Sequence, residues 1–235
     1  MIPINSICYL IATPVYAVIA IKLYLSYRKY GDPILKNFFK SGLFLWALMF
    51  ILSLPGIVFN DLMLISLVFA VYPFFALMAL AYLAYVPLEI LGWYRQKKIY
   101  SVFMLAFASM ILIMDFLNWK PAIIYLTRYP YVFWGDTRGN FVNILIGLVL
   151  VTTLLLTAAF FIVNGLKHRD KYIRLRAFFI AGTLFGIMMG SLINFLFRNI
   201  LGEAIASLIS AIVFIISGIL LFLSVLYKQK PFGQT

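Results

Sequence analysis

The sequence predicts an all-α fold, a polytopic membrane protein of seven transmembrane helices with its N-terminus outside and its C-terminus in the cytoplasm. Three observations carry this. The chain is 65% hydrophobic and only 11% charged, with a mean hydropathy of +1.06. A soluble domain has about 25% charged residues and no need of repeated apolar runs of about 20 residues. Seven such runs divide residues 1–235 into a single membrane domain, and the basic residues fall in alternate connections between them.

The first run, about Ile7 to Tyr27, has no Lys or Arg before it and no small-residue cleavage pattern after it, so it reads as a retained helix rather than a signal peptide. Pro14 is positioned to kink it, and Lys22 can lay its stem along apolar surface while its ammonium reaches the interface. A charged turn follows at Arg28-Lys29-Tyr30-Gly31-Asp32-Pro33. The second run opens with Lys36 and Lys40 and extends to about Phe59. Pro55-Gly56 and Asn60-Asp61 close it.

The third run, Leu62 to about Trp93, is too long for one straight crossing of a roughly 30 Å hydrocarbon core. Either Pro73 and Pro87 bend it or its last turns leave the membrane. Tyr82, Tyr85 and Glu89 share one face of it, a polar candidate toward the cytoplasmic side. For Glu89, an interfacial position or pairing with a neighbouring Lys or Arg stands beside a role in proton or ion transfer. Arg95, Lys97 and Lys98 read as the next loop. The fourth run, Tyr100 to Leu117, is interrupted near its end by Asp115.

The longest connection, 118–140, is rich in Tyr, Trp and Pro, with an apolar stretch at Ala122 to Leu126. It reads as a partly structured cap at the outer bilayer surface, either an interfacial loop or a lid facing a ligand. The fifth run, Phe141 to Val163, ends in Lys167-His168-Arg169-Asp170-Lys171, with Arg174 and Arg176 just beyond.

The sixth run, Ala181–Arg198, places Gly182, Gly186 and Gly190 at four-residue steps, a glycine zipper that lets a neighbouring helix approach closely. In water each glycine would cost a helix roughly 1 kcal/mol relative to alanine. In a bilayer no water competes for the main-chain hydrogen bonds. Asn194 and Arg198 continue the same step, as a packing edge or as the closure of a polar site. The seventh run ends near Leu226, with Lys228 and Lys230 in a short tail.

With seven crossings, one side of the membrane holds Lys22, Arg28, Lys29, Lys36, Lys40, Arg95, Lys97, Lys98, Lys167, Arg169, Lys171, Arg174, Arg176, Lys228 and Lys230, fifteen of the 19 basic residues. The other side holds Lys120, Arg128, Arg138 and Arg198, balanced by Asp61, Asp115, Asp136 and Glu203. Short cytoplasmic loops retain Lys and Arg, which sets the orientation. The same basic face attracts anionic headgroups and accounts for the net charge of +12 without nucleic acid. A faint 3+1+3 helix repeat is also readable, because a hydrophobic run, a basic turn and a small-residue helix occur in Ala20–Leu52 and again in Ala158–Ile193.

Catalytic signatures are sparse. The last run lacks the mid-helix lysine of a microbial-opsin-like retinal pigment. A single histidine, His168, excludes His-Glu-x-x-His chemistry, and no phosphate-binding glycine loop occurs. One cysteine, Cys8, forms neither an internal disulfide nor a cysteine metal cluster, so no cofactor or metal is expected. Asp61, Asp115, Trp134, Asn194, Arg198 and Glu203 fall toward the outer ends of helices or in the outer loop. They are the ligand-binding candidates, unless they only close the bundle with ion pairs. An enzyme is the weakest class, with carboxylate-dependent lipid chemistry its one opening.

The stretches YPFFALMALAYLAY, LIMDFLNW and KHRDKYIRLRAFFIAGTLFGIMMG, together with the aromatic outer loop, resemble the seven-helix membrane region at the N-terminus of prokaryotic sensor histidine kinases. The resemblance covers nearly the whole chain. It implies a sensor without an output domain after Thr235, so that a separate membrane or signalling partner, or self-association, carries the signal. The leading expectation is therefore a non-catalytic, receptor-like or accessory module of the cell membrane. A small-solute, ion or lipid transporter and a structural subunit of a larger complex are the alternatives.

Overall fold

A computed structural model describes residues 4–57, 62–118, 123–125, 131–133, 140–196 and 202–226. Seven helices account for almost all of them: α1 (Ile4–Tyr30), α2 (Pro33–Ile57), α3 (Leu62–Ile90), α4 (Tyr94–Leu117), α5 (Asn140–Lys167), α6 (Lys171–Leu196) and α7 (Glu203–Leu226). The addition to the all-helical expectation is a hairpin between α4 and α5. Its strands β1 (Ile123–Tyr125) and β2 (Tyr131–Phe133) pair antiparallel, with Ile124 opposite Val132. Six helices are long and apolar enough to cross a membrane, and α7 contributes a shorter apolar segment, Leu208–Ser224.

The turns follow from local chemistry. After α1, Gly31 takes φ +66°, Asp32 accepts the amide of Ile34 at 2.8 Å, and Pro33 begins α2. A left-handed glycine, a carboxylate N-cap and a first-turn proline together reverse the chain within two residues. After α3, Gly92 takes φ +69°, Gly92 N–H reaches the Glu89 carbonyl and Trp93 N–H the Leu88 carbonyl, which is the Schellman stop. Asp170 caps α6 through the amide of Tyr172 at 2.7 Å.

One expectation is corrected here. Arg95, Lys97 and Lys98 lie in the first turns of α4, and Lys171, Arg174 and Arg176 in the first turns of α6, rather than in loops. Long basic side chains let a helix continue into the interface while the charge stays in reach of water. α3 runs unbroken through Pro73 and Pro87. Its 29 residues span roughly 43 Å, longer than a hydrocarbon core of about 30 Å, which leaves both alternatives of the sequence reading, a bend or turns beyond the core, in place.

The helices close a ring in the order α1, α2, α3, α5, α6, α7 and back to α1, and α4 packs outside it on α3. α3 supplies buried residues to all three core clusters. Leu80, Leu83 and Val86 meet α5 and α6, Ala79 meets the α1–α2–α7 cluster, and Leu77, Ala81 and Tyr85 meet α4 and α5. A helix apolar on every side belongs at such a position.

The glycine stripe of α6 finds its partner in α7. A Cβ on Gly182 would touch Leu220 at 3.4 Å, and one on Gly190 would touch the Ser210 carbonyl at 3.4 Å. One on Gly186 would collide with Ser217 Oγ and lie 3.3 Å from Ser217 Cβ. Ser210, Ser217 and Ser224 recur every seven residues along α7 and are all buried. Ser210 Oγ donates to the Gly190 carbonyl at 2.8 Å, and Thr183 Oγ1 contacts the Ser217 carbonyl at 3.2 Å. Arg176 Nε donates to the Ser224 carbonyl at 2.9 Å. Across the next seam, the fully buried Tyr16 of α1 rests its ring on Gly218 and donates its hydroxyl to the Phe214 carbonyl at 3.0 Å. Ser41 of α2 likewise donates to the Ala79 carbonyl of α3 at 2.9 Å.

Overpacking this seam should destabilise the bundle. Gly186→Ala is expected to lower stability in detergent by about 1–3 kcal/mol, and Gly186→Leu to prevent monodisperse folding. Adding Ser217→Ala should recover part of the Gly186→Ala loss. Thermal unfolding with size-exclusion profiles measures all three, and an unchanged Gly186→Leu would refute the packing account.

Candidate functional site

The residues singled out in the sequence gather at the two ends of the bundle. At the hairpin end, α4 directs Met104, Phe107, Ala108, Ile111 and Asp115 inward at helical spacing. Asp115 is 1% exposed, a carboxylate placed where the preceding turns bury methionine, phenylalanine and isoleucine. Asn118 ends the helix, its amide and side-chain nitrogen both donating to the Met114 carbonyl.

The hairpin leaves from α4 and returns to α5, yet β2 packs against α1, on the other side of the α3–α5 seam. The hairpin end of the bundle thus includes a contact between β2 and α1. Asn194 near the end of α6 and Glu203 at the start of α7 lie on helical backbone at this same end. Their side chains lie outside the described residues, as do Asp61, Trp134 and Arg198. Of the six outer candidates, Asp115 is the one whose side chain is placed, and convergence of the others on it stays a sequence expectation.

The opposite end is better defined. Glu89, in the last turn of α3, forms an ion pair through Oε2 with Lys97 Nζ of α4, and Asn37 Nδ2 of α2 donates to the same oxygen at 3.4 Å. Their side chains are 12% and 24% exposed for Glu89 and Lys97, so the pair is largely withdrawn from solvent. This is the pairing of Glu89 with a neighbouring lysine that the sequence left open. Tyr82 and Tyr85 do share its face. Their rings meet edge-to-face at 5.3 Å, and Tyr85 meets Tyr100 of α4 in the same way at 6.1 Å. Lys97 lies 5.7 Å over the Tyr85 ring, and Lys40 of α2 lies 4.8 Å over the Tyr82 ring. Tyr100 and Thr153 exchange a hydroxyl hydrogen bond at 2.9 Å, which ties α4 to α5.

Sequence reasoning missed Asn37, Lys40 and the serine repeat of α7 as contacts. An amide within an apolar helix is a signal for interhelical bonding, and Ser210, Ser217 and Ser224 form a visible heptad. Lys40 was legible only as one basic flank among several.

Among the described residues, one small void lies between the two ends. Bordered by Leu23, Ser41, Leu45, Leu83, Thr183 and Leu184, it measures about 10 Å³, at the limit for one water. The two hydroxyls facing it are already bonded to main-chain carbonyls. Comparison of the chain with protein-family models, characterised proteins and solved structures yields no match.

The Glu89–Lys97 pair yields a sign test. Removing one partner leaves the other charge poorly solvated, so Lys97→Met should cost on the order of 1–2 kcal/mol. Lys97→Met with Glu89→Gln should recover most of it. Thermal unfolding of the two variants checks this, and equal losses would show that the pair is not coupled.

Proposed function

We propose that the chain crosses the cell membrane seven times, with its N-terminus outside, and works as a non-catalytic, receptor-like or accessory module. Its ligand binds at the hairpin end, and a membrane or signalling partner, or a second copy, receives the output. The observation that carries this reading is a carboxylate, Asp115, buried at the end of the bundle where β2 of the hairpin packs on α1. A buried carboxylate that most membrane helices would not keep is a ligand-site candidate by its chemistry. The orientation rests on the fifteen basic residues assigned to one side. The resemblance to kinase sensor regions agrees with the same reading.

A second reading draws on the contact order. Exchanging α1–α3 with α5–α7 carries the α1–α7 seam onto the α5–α3 seam, the form taken by carriers built of parallel repeats. On that reading the hairpin end is the entrance of a solute pathway, and the present packing is a closed state.

Two measurements follow. In a Cys8→Ser background, a cysteine at Lys98 should react with an impermeant maleimide only from the cytoplasmic side, and one at Asn118 only from outside. The opposite labelling would overturn the orientation. For function, native mass spectrometry of gently solubilised chain should reveal a bound small molecule that Asp115→Asn releases, while reconstituted liposomes show no solute flux. Flux abolished by Asp115→Asn would replace the receptor reading with the carrier.

A further inference from the structure

Lys40 stands apart from the other basic residues. It is the eighth residue of α2, roughly 10 Å along the axis from the helix start, and is half-buried. Lysine at such a depth normally extends to water or pairs with a carboxylate. Here the ammonium rests on the face of Tyr82, 4.8 Å from the ring centroid. The nearby carboxylate, Glu89, is already engaged by Lys97 and Asn37, and that is the one ion pair among the described residues. The aromatic face covers one side of the ammonium and accepts none of its three N–H groups conventionally. Lys36, one turn earlier on the same face of α2, is exposed. One turn later, Phe44 stacks on Tyr82 at 5.6 Å and meets Phe75 at 5.8 Å.

Along one line of α2 the chain thus presents an interfacial lysine, a deeper lysine and an aromatic wall. We infer that this α2–α3 corner binds one anionic phospholipid, its phosphate held by Lys40 and Lys36 and its acyl chain lying along Phe44 and Phe75. The depth of Lys40 and the apolar wall select a lipid over a soluble phosphate. With Lys97 neutralised by Glu89, the two remaining cations select an anionic headgroup over a zwitterionic one, whose own cation would sit near them. Basic pockets between helices at the cytoplasmic side are where such headgroups bind. The site rests on the membrane placement of the helices and is independent of the receptor reading.

The test uses the full-length chain in mixed phosphatidylglycerol and phosphatidylcholine micelles, with lipid retention read by native mass spectrometry. One phosphatidylglycerol should be kept in preference to phosphatidylcholine, and it should raise Tm. Lys40→Gln should weaken that retention about fivefold, the effect of one lysine near a headgroup. Lys98→Gln, an equal loss of charge at an exposed position of α4, should leave it unchanged, and Lys40→Arg should preserve it. Equal loss in Lys40→Gln and Lys98→Gln would reduce the effect to general surface charge and overturn the site. A Tm rise with inorganic phosphate matching that with phosphatidylglycerol would overturn the lipid assignment. If Lys40→Gln does not fold, Lys36→Gln decides in its place, with unchanged selectivity counting against the site.

Discussion

The bundle depends on the close approach of α6 and α7. Between helices in lipid there is little hydrophobic drive to associate, because an apolar side chain gains nothing by leaving one hydrocarbon environment for another. What remains is contact and hydrogen bonding. Gly182, Gly186 and Gly190 remove the side chains that would hold the axes apart, and Ser210 and Ser217 fill the space. At that separation Ser210 reaches a main-chain carbonyl of the facing helix. Each such bond is worth about 0.6 kcal/mol on average, so no single one fixes the pair. Tyr16 on Gly218 extends the same device to α1, and Ser41 repeats it between α2 and α3.

The α3–α5 seam of the ring is built differently. α3 and α5 meet without a glycine stripe, and a Cβ on Gly147 of α5 would find open space. α4 covers this seam from outside, through Met104, Phe107, Ala108 and Ile111 and through the Tyr100–Thr153 bond. The ring therefore has one edge locked by backbone proximity and one closed by larger side chains. The long connection that carries the hairpin begins and ends at the second edge.

The helices and their order were legible because length and apolarity fix them in a bilayer. The glycine stripe was legible because small residues at four-residue steps have one use in an apolar helix. Its partner was not, since serine is tolerated on any face of a membrane helix and its heptad competes with many others. Basic residues assigned to loops belong to α4 and α6, because the pattern of apolar residues begins only where the helix enters hydrocarbon, several residues after the backbone has turned helical. Glu89 could be placed on a face with Tyr82 and Tyr85, while its partner Lys97 lies across a turn whose geometry is set by Gly92. At the hairpin end, Asp115 stood out as an acid within an apolar run. Its burial follows from the inward stripe Met104-Phe107-Ala108-Ile111, which the sequence contains but which composition alone does not orient.

These features give α4 a particular place in the receptor reading. It carries Asp115 at the hairpin end and Lys97 at the other, 18 residues and so roughly 27 Å apart on one helix. α4 lies outside the ring, packed on α3 and tied to α5 through Tyr100 and Thr153, and makes no part of the α6–α7 or α1–α7 seams. A ligand that pulls on the Asp115 end has a rigid element on which to act, and the far end of that element holds the ion pair joining α3, α4 and, through Asn37, α2. Two arrangements of α4 would then differ in the geometry at Glu89, next to the Lys40 corner where the lipid is assigned. On that reading a ligand at the hairpin end and a lipid at the Lys40 corner would act at opposite ends of one helix, the contiguous kind of element through which two sites can couple.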